Sequence, residues 1–158
     1  LTKEVFGVSP SVRNRKRWHE AYYCSKVVYR FYSRVLGHRT GKKTGSLRIP
    51  ESFRHDPRLL FGFLRGLFTA EASIKVERNI RIALEMQEPL LMKQTASILK
   101  DATFHPHLYS YAKNGRHVYG LYIYGLDETR LFHRRIGFVG RKRLRLSKVI
   151  SQFERRGL

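Results

Sequence analysis

The sequence contains little cysteine, few acidic residues and no long apolar segment. Cys24 is the one cysteine among 158 residues, which excludes an internal disulfide and the paired spacings of a cysteine metal site. No apolar run is long enough to cross a membrane, and no signal-peptide pattern opens the chain. We therefore expect an intracellular protein, of the cytoplasm or the nucleoid, without a membrane partner.

The shortage of acidic residues leaves a large excess of positive charge. Asp and Glu number 12 against 32 Lys and Arg, which gives a net charge of +20. Hydrophobic residues make up 42% of the chain, so a globular protein is expected rather than a disordered basic tail. Because so much like charge opposes compaction, we expect it to serve a polyanionic partner. Residues 51–100 are the least basic third, with 8 Lys and Arg against 6 acids.

The middle of this third predicts a helix with small residues along one face. Asp56-Pro57 is typical of a helix start, because Asp caps and proline suits the first helical position. Gly62, Gly66 and Ala70 recur at four-residue spacing and therefore share a face. Their small size allows a second helix to approach closely, although they could also ease packing inside one domain. The helix ends at Glu71, a candidate catalytic carboxylate.

The residues after Glu71 predict an α+β fold with an antiparallel sheet. Alternating apolar and polar residues indicate strands over 73–77, 79–85, 104–112 and 116–125, with a helix over 89–101 between the two pairs. Asn114-Gly115 predicts the hairpin of the second pair. Asp127 is expected to cap a following helix that Gly137 ends, and a last helix follows a basic run. The element order is αββαββα, with helices covering the apolar faces.

The first 45 residues repeat the second half of this order. A helix tail ends at Gly7, the basic residues 11–17 are interpreted as the turn between two strands, and residues 18–24 predict a strand rich in aromatics. Ser25 is expected to cap a helix that ends at Gly37, and residues 38–46 form a basic linker. We interpret residues 1–45 as a partial repeat (ββα) without its own small-residue helix, and residues 46–158 as the complete domain.

Basic and aromatic residues on the polar strand faces favour nucleic acid over a generic solvated surface. A two-stranded ribbon fits the major groove of DNA, where cationic and amide side chains read base edges while other cations hold phosphates. The residues predicted to reach bases are Lys75, Arg78, Asn79 and Arg81. The strand-face and hairpin candidates are His107, Tyr109, Tyr111 and Arg116. The predicted phosphate contacts are Arg13, Arg15, Lys16, Arg17, Arg141, Lys142 and Arg143.

The element order and the central helix together resemble the LAGLIDADG homing endonucleases. Residues 63–73 (FLRGLFTAEAS) are similar to the family's motif, with Leu64 to Ala72 on its nine positions, and residues 120–127 and 134–138 are similar to its closing strand, helix and cap. The resemblance implies a homing-endonuclease-like fold with a sheet saddle, an intron or intein association, and cleavage of double-stranded DNA.

The resemblance also implies a shared metal site. In the family two motif helices pack together, and each presents one carboxylate to a divalent cation such as Mg²⁺. Glu71 falls on that position, with Ala72 beside it as the other implied metal position. The second motif helix would come from a homodimer partner or from an absent N-terminal segment.

This sequence departs from the motif at two positions. Thr69 replaces an acid, and Ala72 replaces a glycine, which could shift the backbone if a positive φ is needed there. The family also has a polar residue at the periphery of its catalytic site, near the end of the second strand. In this sequence that residue is Glu85, Met86 or Gln87, and the sequence does not decide between them. A non-cleaving DNA-binding module or an RNA-binding intron maturase on the same fold is the alternative.

Overall fold

The structure, a computed structural model, describes residues 3, 7–15, 19–22, 24–35, 45 and 47–155. The chain divides into two compact units, Leu1–Gly41 and Lys42–Leu158. No helix in the described part of the chain is long and apolar enough to span a membrane.

The first unit contains a short antiparallel hairpin followed by a helix. Strands β1 (Ser11–Asn14) and β2 (His19–Tyr22) pair with Ser11 opposite Tyr22. Helix α1 (Lys26–Arg30) begins at Ser25, whose hydroxyl accepts a hydrogen bond from the Val28 amide at 3.4 Å, and a π-helical segment (Phe31–Val35) continues it. The predicted ββα order and the Ser25 cap are therefore both found in this unit.

One prediction for this unit needs correction. The sequence predicts a turn over residues 11–17, but Ser11–Asn14 form strand β1, because the antiparallel segment His19–Tyr22 supplies partners for their backbone hydrogen bonds. Gly7 has φ +67 and its amide donates to the Lys3 carbonyl at 2.9 Å, as expected for a left-handed helix end. Lys16, Arg17, Trp18, Gly37 and all of the predicted linker except Gly45 lie outside the described residues.

The second unit is the predicted α+β domain. Its helices are α2 (Glu51–Arg54), α3 (Pro57–Glu71), α4 (Pro89–Asp101), α5 (Leu126–Arg135) and α6 (Arg141–Arg155). Its strands are β3 (Ala72–Val76), β4 (Ile80–Met86), β5 (His107–Lys113) and β6 (Arg116–Tyr124). The four strands form one antiparallel sheet in the order β3-β4-β6-β5. From α3 onwards the order is αββαββα with one further helix.

The core lies between one face of this sheet and the helices. Ile74, Ile82, Leu84, Leu121 and Ile123 are buried on that face and belong to one cluster with helical side chains such as Phe68 and Phe132. The Phe68 and Phe132 rings meet edge to face, with centroids 5.0 Å apart. Alternation along each strand places the polar and aromatic side chains on the opposite face. This polar sheet face carries Lys75, Arg81, Glu85, His107, Tyr109, Tyr111, Lys113, Tyr122 and Tyr124.

The turn and cap predictions for this unit have mixed outcomes. Asn114 and Gly115 both have positive φ, +51 and +71, which is the conformation of the predicted tight hairpin. Gly137 has φ +68 and its amide donates to the Phe132 carbonyl at 2.7 Å, so it ends α5 as expected. Asp127 does not cap α5. Gly125, at φ +87, is the capping residue, because the chain leaves β6 in a conformation that suits glycine and turns at once into the helix.

Candidate nucleic-acid interface and catalytic site

Helix α3 presents its small residues to open space. Asp56 caps it by accepting from the Arg58 amide at 2.8 Å, and Pro57 is the first helical residue, as predicted. Leu64 and Phe68 are buried on the core side. Gly62, Gly66 and Ala70 are exposed, and a Cβ added at either glycine would meet no atom of the described chain within 4 Å. Among the described residues, this face makes no close contact that would require small residues.

The C-terminal end of α3 is held by residues that lie about 70 positions further along the chain. The Lys142 ammonium donates to the Thr69 carbonyl at 2.6 Å and to the Ala72 carbonyl at 2.7 Å. The Thr69 hydroxyl accepts from the Val139 amide at 3.1 Å. A cation at this end also complements the helix dipole. The geometry therefore fixes the position of Glu71, the last residue of the helix.

The replacement of glycine by Ala72 leaves the backbone unstrained. Ala72 has φ −81 and ψ 153, which is ordinary extended backbone that any residue adopts. The possible shift considered for this position does not arise. The Ala72 carbonyl accepts from the Lys142 ammonium, and the role of Ala72 as a metal position stays a prediction.

Glu71 lines a cavity of about 510 Å³ together with two other carboxylates. Glu88 is buried, and its Oε2 accepts from the amides of Gly45 at 2.8 Å and Leu47 at 3.2 Å. Glu85 is paired with two lysines. Glu71 itself is exposed and has no hydrogen-bond or ion-pair partner within the described part of the chain. It is therefore the carboxylate of this cavity that is free to bind a ligand.

A single chain supplies one half of a divalent metal site. Hard cations such as Mg²⁺ prefer several oxygen ligands, and Glu71 offers one carboxylate. The described residues contain no group of three His, Cys, Asp or Glu side chains that could hold a metal ion. The donor set thus fits a site completed by a second carboxylate from elsewhere, and it does not fit a complete site within the described residues.

Glu85, on β4, bonds to residues of the other three strands at the centre of the polar sheet face. Its Oε1 accepts from the Lys75 ammonium at 3.1 Å and from the Tyr122 hydroxyl at 3.3 Å, and its Oε2 accepts from the Lys113 ammonium at 2.8 Å. The hydrogen bond from Lys113, with a further one from Lys75, lowers the pKa of Glu85 to about 2, although partial burial opposes the shift. Among the three residues left undecided by the sequence, Glu85 is the one paired in this way.

The residues predicted to read bases converge at the β3–β4 end of the sheet. Lys75, Arg78, Asn79 and Arg81 line one cavity of about 380 Å³, together with Glu77 and Tyr124. The Arg81 guanidinium is already engaged. It lies 3.1 Å from Glu77 and stands over the Tyr122 and Tyr124 rings at 5.6 and 5.8 Å. Arg78 and Asn79 are exposed at the turn between the strands.

The β5–β6 half of the face is aromatic. His107 and Tyr109 are nearly parallel, with centroids 6.3 Å apart, and Tyr111 bonds the Tyr122 hydroxyl at 3.2 Å. Tyr122 and Tyr124 extend this group, and the sequence analysis did not single them out. The alternation of β6 could have predicted their position, because it places Gly120, Tyr122 and Tyr124 on the same face of the sheet. A Cβ at Gly120 would lie 2.5 Å from the Tyr122 hydroxyl, so glycine makes room for that ring.

The predicted phosphate contacts belong to both units. In the first unit, Arg13 lies over the Tyr22 ring at 4.8 Å and Arg15 pairs with Glu20 at 3.3 Å. In the second unit, Arg141 and Arg143 are exposed at the start of α6, and Arg116 is exposed beside the β5–β6 hairpin. Lys142 lies between the two exposed arginines but directs its ammonium to the end of α3. Binding of DNA by any of these residues stays a prediction.

These features define a basic α+β domain with a polar sheet face and a carboxylate at the end of a helix. The family model for the LAGLIDADG-like domain matches residues 58–137, which are 80 of the 158 residues and extend from α3 to Gly137. The chain therefore belongs to the LAGLIDADG family, which consists of DNA endonucleases and related maturases. No curated protein sequence matches the chain.

Proposed function

We propose that the protein is a site-specific endonuclease that cleaves double-stranded DNA with a divalent cation, Mg²⁺ or one like it. Glu71 supplies one of the carboxylates that hold this cation. The family assignment and the net charge of +20 support a nucleic-acid substrate. The polar sheet face, which carries Lys75, Arg81 and Lys113, would receive it.

The observation that carries the proposal is the end of α3. Glu71 is exposed and unpartnered within the described chain, and Lys142 and Val139 fix the turn that carries it. The open face of Gly62, Gly66 and Ala70 runs along the same helix. A second motif helix packed on this face would place its own carboxylate beside Glu71. That helix would come from a homodimer partner or from another segment.

The chemistry divides between the cation and the protein. A divalent cation, when bound, activates water and neutralises charge on the leaving oxygen of a phosphodiester. Glu71 contributes a hard oxygen ligand. Exposed arginines such as Arg141 and Arg143 hold phosphates, and the residues at the β3–β4 turn contact base edges. Their combined effect is to orient the scissile phosphate towards Glu71.

Replacing Glu71 with glutamine tests this role. We expect E71Q to abolish cleavage of a plasmid library with randomised inserts in Mg²⁺, because a neutral amide oxygen binds Mg²⁺ more weakly than a carboxylate does. Its DNA affinity should remain within about twofold of the wild type, since it alters one charge among many contacts. The matched control is E51Q, which changes a carboxylate that is exposed on α2 and lies outside the polar sheet face, and this variant should cut normally. Cleavage by E71Q at the wild-type rate would contradict the assignment.

One observation favours the alternative of a non-cleaving DNA-binding module or an RNA-binding maturase. The Lys142 ammonium occupies the Ala72 carbonyl, next in sequence to Glu71, and a fixed positive charge there disfavours a second cation. In this case the wild-type protein would bind nucleic acid with a steep salt dependence, but would give no Mg²⁺-dependent product from the same library.

A further inference from the structure

Four aromatic side chains form a continuous group on the polar sheet face. This aromatic patch consists of His107, Tyr109, Tyr122 and Tyr124. The His107 centroid lies 5.3 Å from Tyr124, the Tyr109 centroid lies 5.9 Å from Tyr122, and the centroids of Tyr122 and Tyr124 are also 5.9 Å apart. Each ring therefore contacts at least one other ring across or along strands β5 and β6.

The patch does not belong to the hydrophobic core. The alternate residues of the same strands, Leu108, Leu121 and Ile123, cover the core from the other side of the sheet. Tyr109 is 51% exposed, and His107 is exposed as well. Aromatic rings left in water on a basic face need another explanation, because burial does not account for them.

The rings are held in place before any ligand binds. The Tyr122 hydroxyl bonds both Glu85 and Tyr111, and burial, together with the bond to Tyr111, raises the pKa of this hydroxyl. Gly120 leaves the space that the Tyr122 ring occupies. Arg81 stands over the rings of Tyr122 and Tyr124. Tyr109, at the solvent side of the group, is thus supported from behind by a fixed ring.

Aromatic faces recognise a different feature of nucleic acid than cationic side chains do. Readout of paired bases in the major groove depends on hydrogen bonds from residues such as Arg, Lys, Asn and Gln. A ring face instead stacks on the face of a base, which becomes accessible when the base leaves its own stack. Exposed rings flanked by the cations Arg81, Lys113 and Arg116 are the combination found where single strands bind.

We infer that the aromatic patch binds unstacked nucleobases, so that the nucleic acid on this half of the face is single-stranded or locally opened. The inference rests on the proposed function only in that the polar sheet face contacts nucleic acid. It does not require cleavage. The unstacked base could belong to single-stranded DNA or to single-stranded RNA, and the two share the stacking chemistry.

Substitution of Tyr109 in the full chain tests the inference by fluorescence anisotropy. The probes are a 20-nucleotide DNA strand, an RNA strand of the same sequence, and the DNA duplex. Loss of one stacked base weakens binding by roughly 5- to 150-fold. We expect Y109L to lose affinity in this range for one or both single strands, with no change in salt slope. Its duplex affinity should change less than twofold.

Two control variants separate stacking from general effects. Y109F keeps the ring and should retain wild-type affinity for the strand that Y109L releases. Y29L removes a tyrosine of similar exposure, 55%, in the first unit and should alter none of the three affinities. A loss of affinity restricted to the RNA strand would identify RNA as the ligand of the patch. A loss of affinity for both single strands would show that the patch recognises the base and does not distinguish the sugar.

The outcomes also separate this inference from the proposed function. If Y109L binds all three probes as the wild type does, or loses affinity for all of them equally, the aromatic patch is not a stacking site, whether or not the protein cuts DNA. If the wild type cuts no duplex but Y109L releases single strands selectively, the inference holds and the endonuclease proposal fails.

Discussion

Replacing Glu85 with glutamine tests how the centre of the polar sheet face is held together. The Glu85 carboxylate receives hydrogen bonds from Lys75 on β3, Lys113 on β5 and Tyr122 on β6, while it belongs to β4 itself. It therefore connects all four strands on the face away from the core. Glutamine keeps the size of the side chain and one oxygen acceptor but removes the charge that both ammonium groups need.

The expected effect follows from the pKa of Glu85. A fall from the ordinary value of 4.5 to about 2 corresponds to about 3 kcal/mol of stabilisation when the group is ionised. The Glu85 side chain is 22% exposed, but its partners Lys75 and Lys113 are 39% and 55% exposed, so water screens both pairs. We expect about 1–2 kcal/mol to remain.

The sign of the pH dependence is fixed by the direction of the shift. Because the pKa is lower in the folded protein, the stabilisation is fully present above about pH 4.5 and is lost as the pH falls towards 2. The free energy of unfolding of the wild type should exceed that of E85Q by about 1–2 kcal/mol at pH 7. The difference should fall by about half near pH 3.

Urea unfolding followed by circular dichroism at several pH values measures this difference. E77Q is the matched control, since Glu77 pairs only with Arg81 in the described chain and its side chain is 72% exposed. Its difference from the wild type should be below about 0.5 kcal/mol and nearly independent of pH. A gap between the wild type and E85Q that stays constant from pH 7 to pH 3 would refute the reasoning, because the ion pairs would then contribute nothing.

Three further predictions concern the helix end and the basic surface. If a homodimer partner supplies the second motif helix, G66L should abolish dimer formation in sedimentation, because the leucine side chain would stand between the two helices. The free energy of unfolding should stay almost unchanged, because a Cβ at this position meets no described atom within 4 Å; dimers that persist in G66L would place the interface elsewhere. K142M should lower the free energy of unfolding in urea by roughly 1–2 kcal/mol, since the Thr69 and Ala72 carbonyls lose a charged donor. K148M, which removes an exposed lysine of the same helix, should leave this free energy almost unchanged. R141Q should lower the slope of log affinity against log salt by about one for every DNA sequence, and a sequence-dependent loss would contradict a phosphate contact.

Local signals predicted most elements of the second unit. Asp56-Pro57 begins α3 and Asn114-Gly115 turns the β5–β6 hairpin, because each pair fixes the backbone within a few residues. The same kind of local signal gave a wrong prediction at Asp127. Its side chain is suited to capping, but Gly125 reaches the required turn two residues earlier, and Asp127 pairs with Arg130 at 3.0 Å instead.

Contacts between distant segments could not be predicted from the sequence. The motif resemblance located Glu71, yet the hydrogen bonds from Lys142 to the end of α3 join residues 70 and 73 positions apart, and no periodicity indicates them. The strand order β3-β4-β6-β5 depends on β4 pairing with β6 across an intervening helix and strand. The role of Glu85 follows from that pairing, because its partners lie on three different strands.

The charges of the polar sheet face suggest that different residues attract the nucleic acid and select it. Lys75 and Lys113 share the carboxylate of Glu85, and Arg81 is paired with Glu77. Three cations thus face two carboxylates, so this part of the face contributes little net attraction for a polyanion. The strong electrostatic attraction expected of a protein with charge +20 must come from cations elsewhere, such as Arg141 and Arg143. The ion pairs also restrict these side chains, so they lose less entropy on binding, and their restricted geometry distinguishes ligands that match it from ligands that do not. The centre of the face is therefore suited to selecting its nucleic acid, and the surrounding cations to holding it.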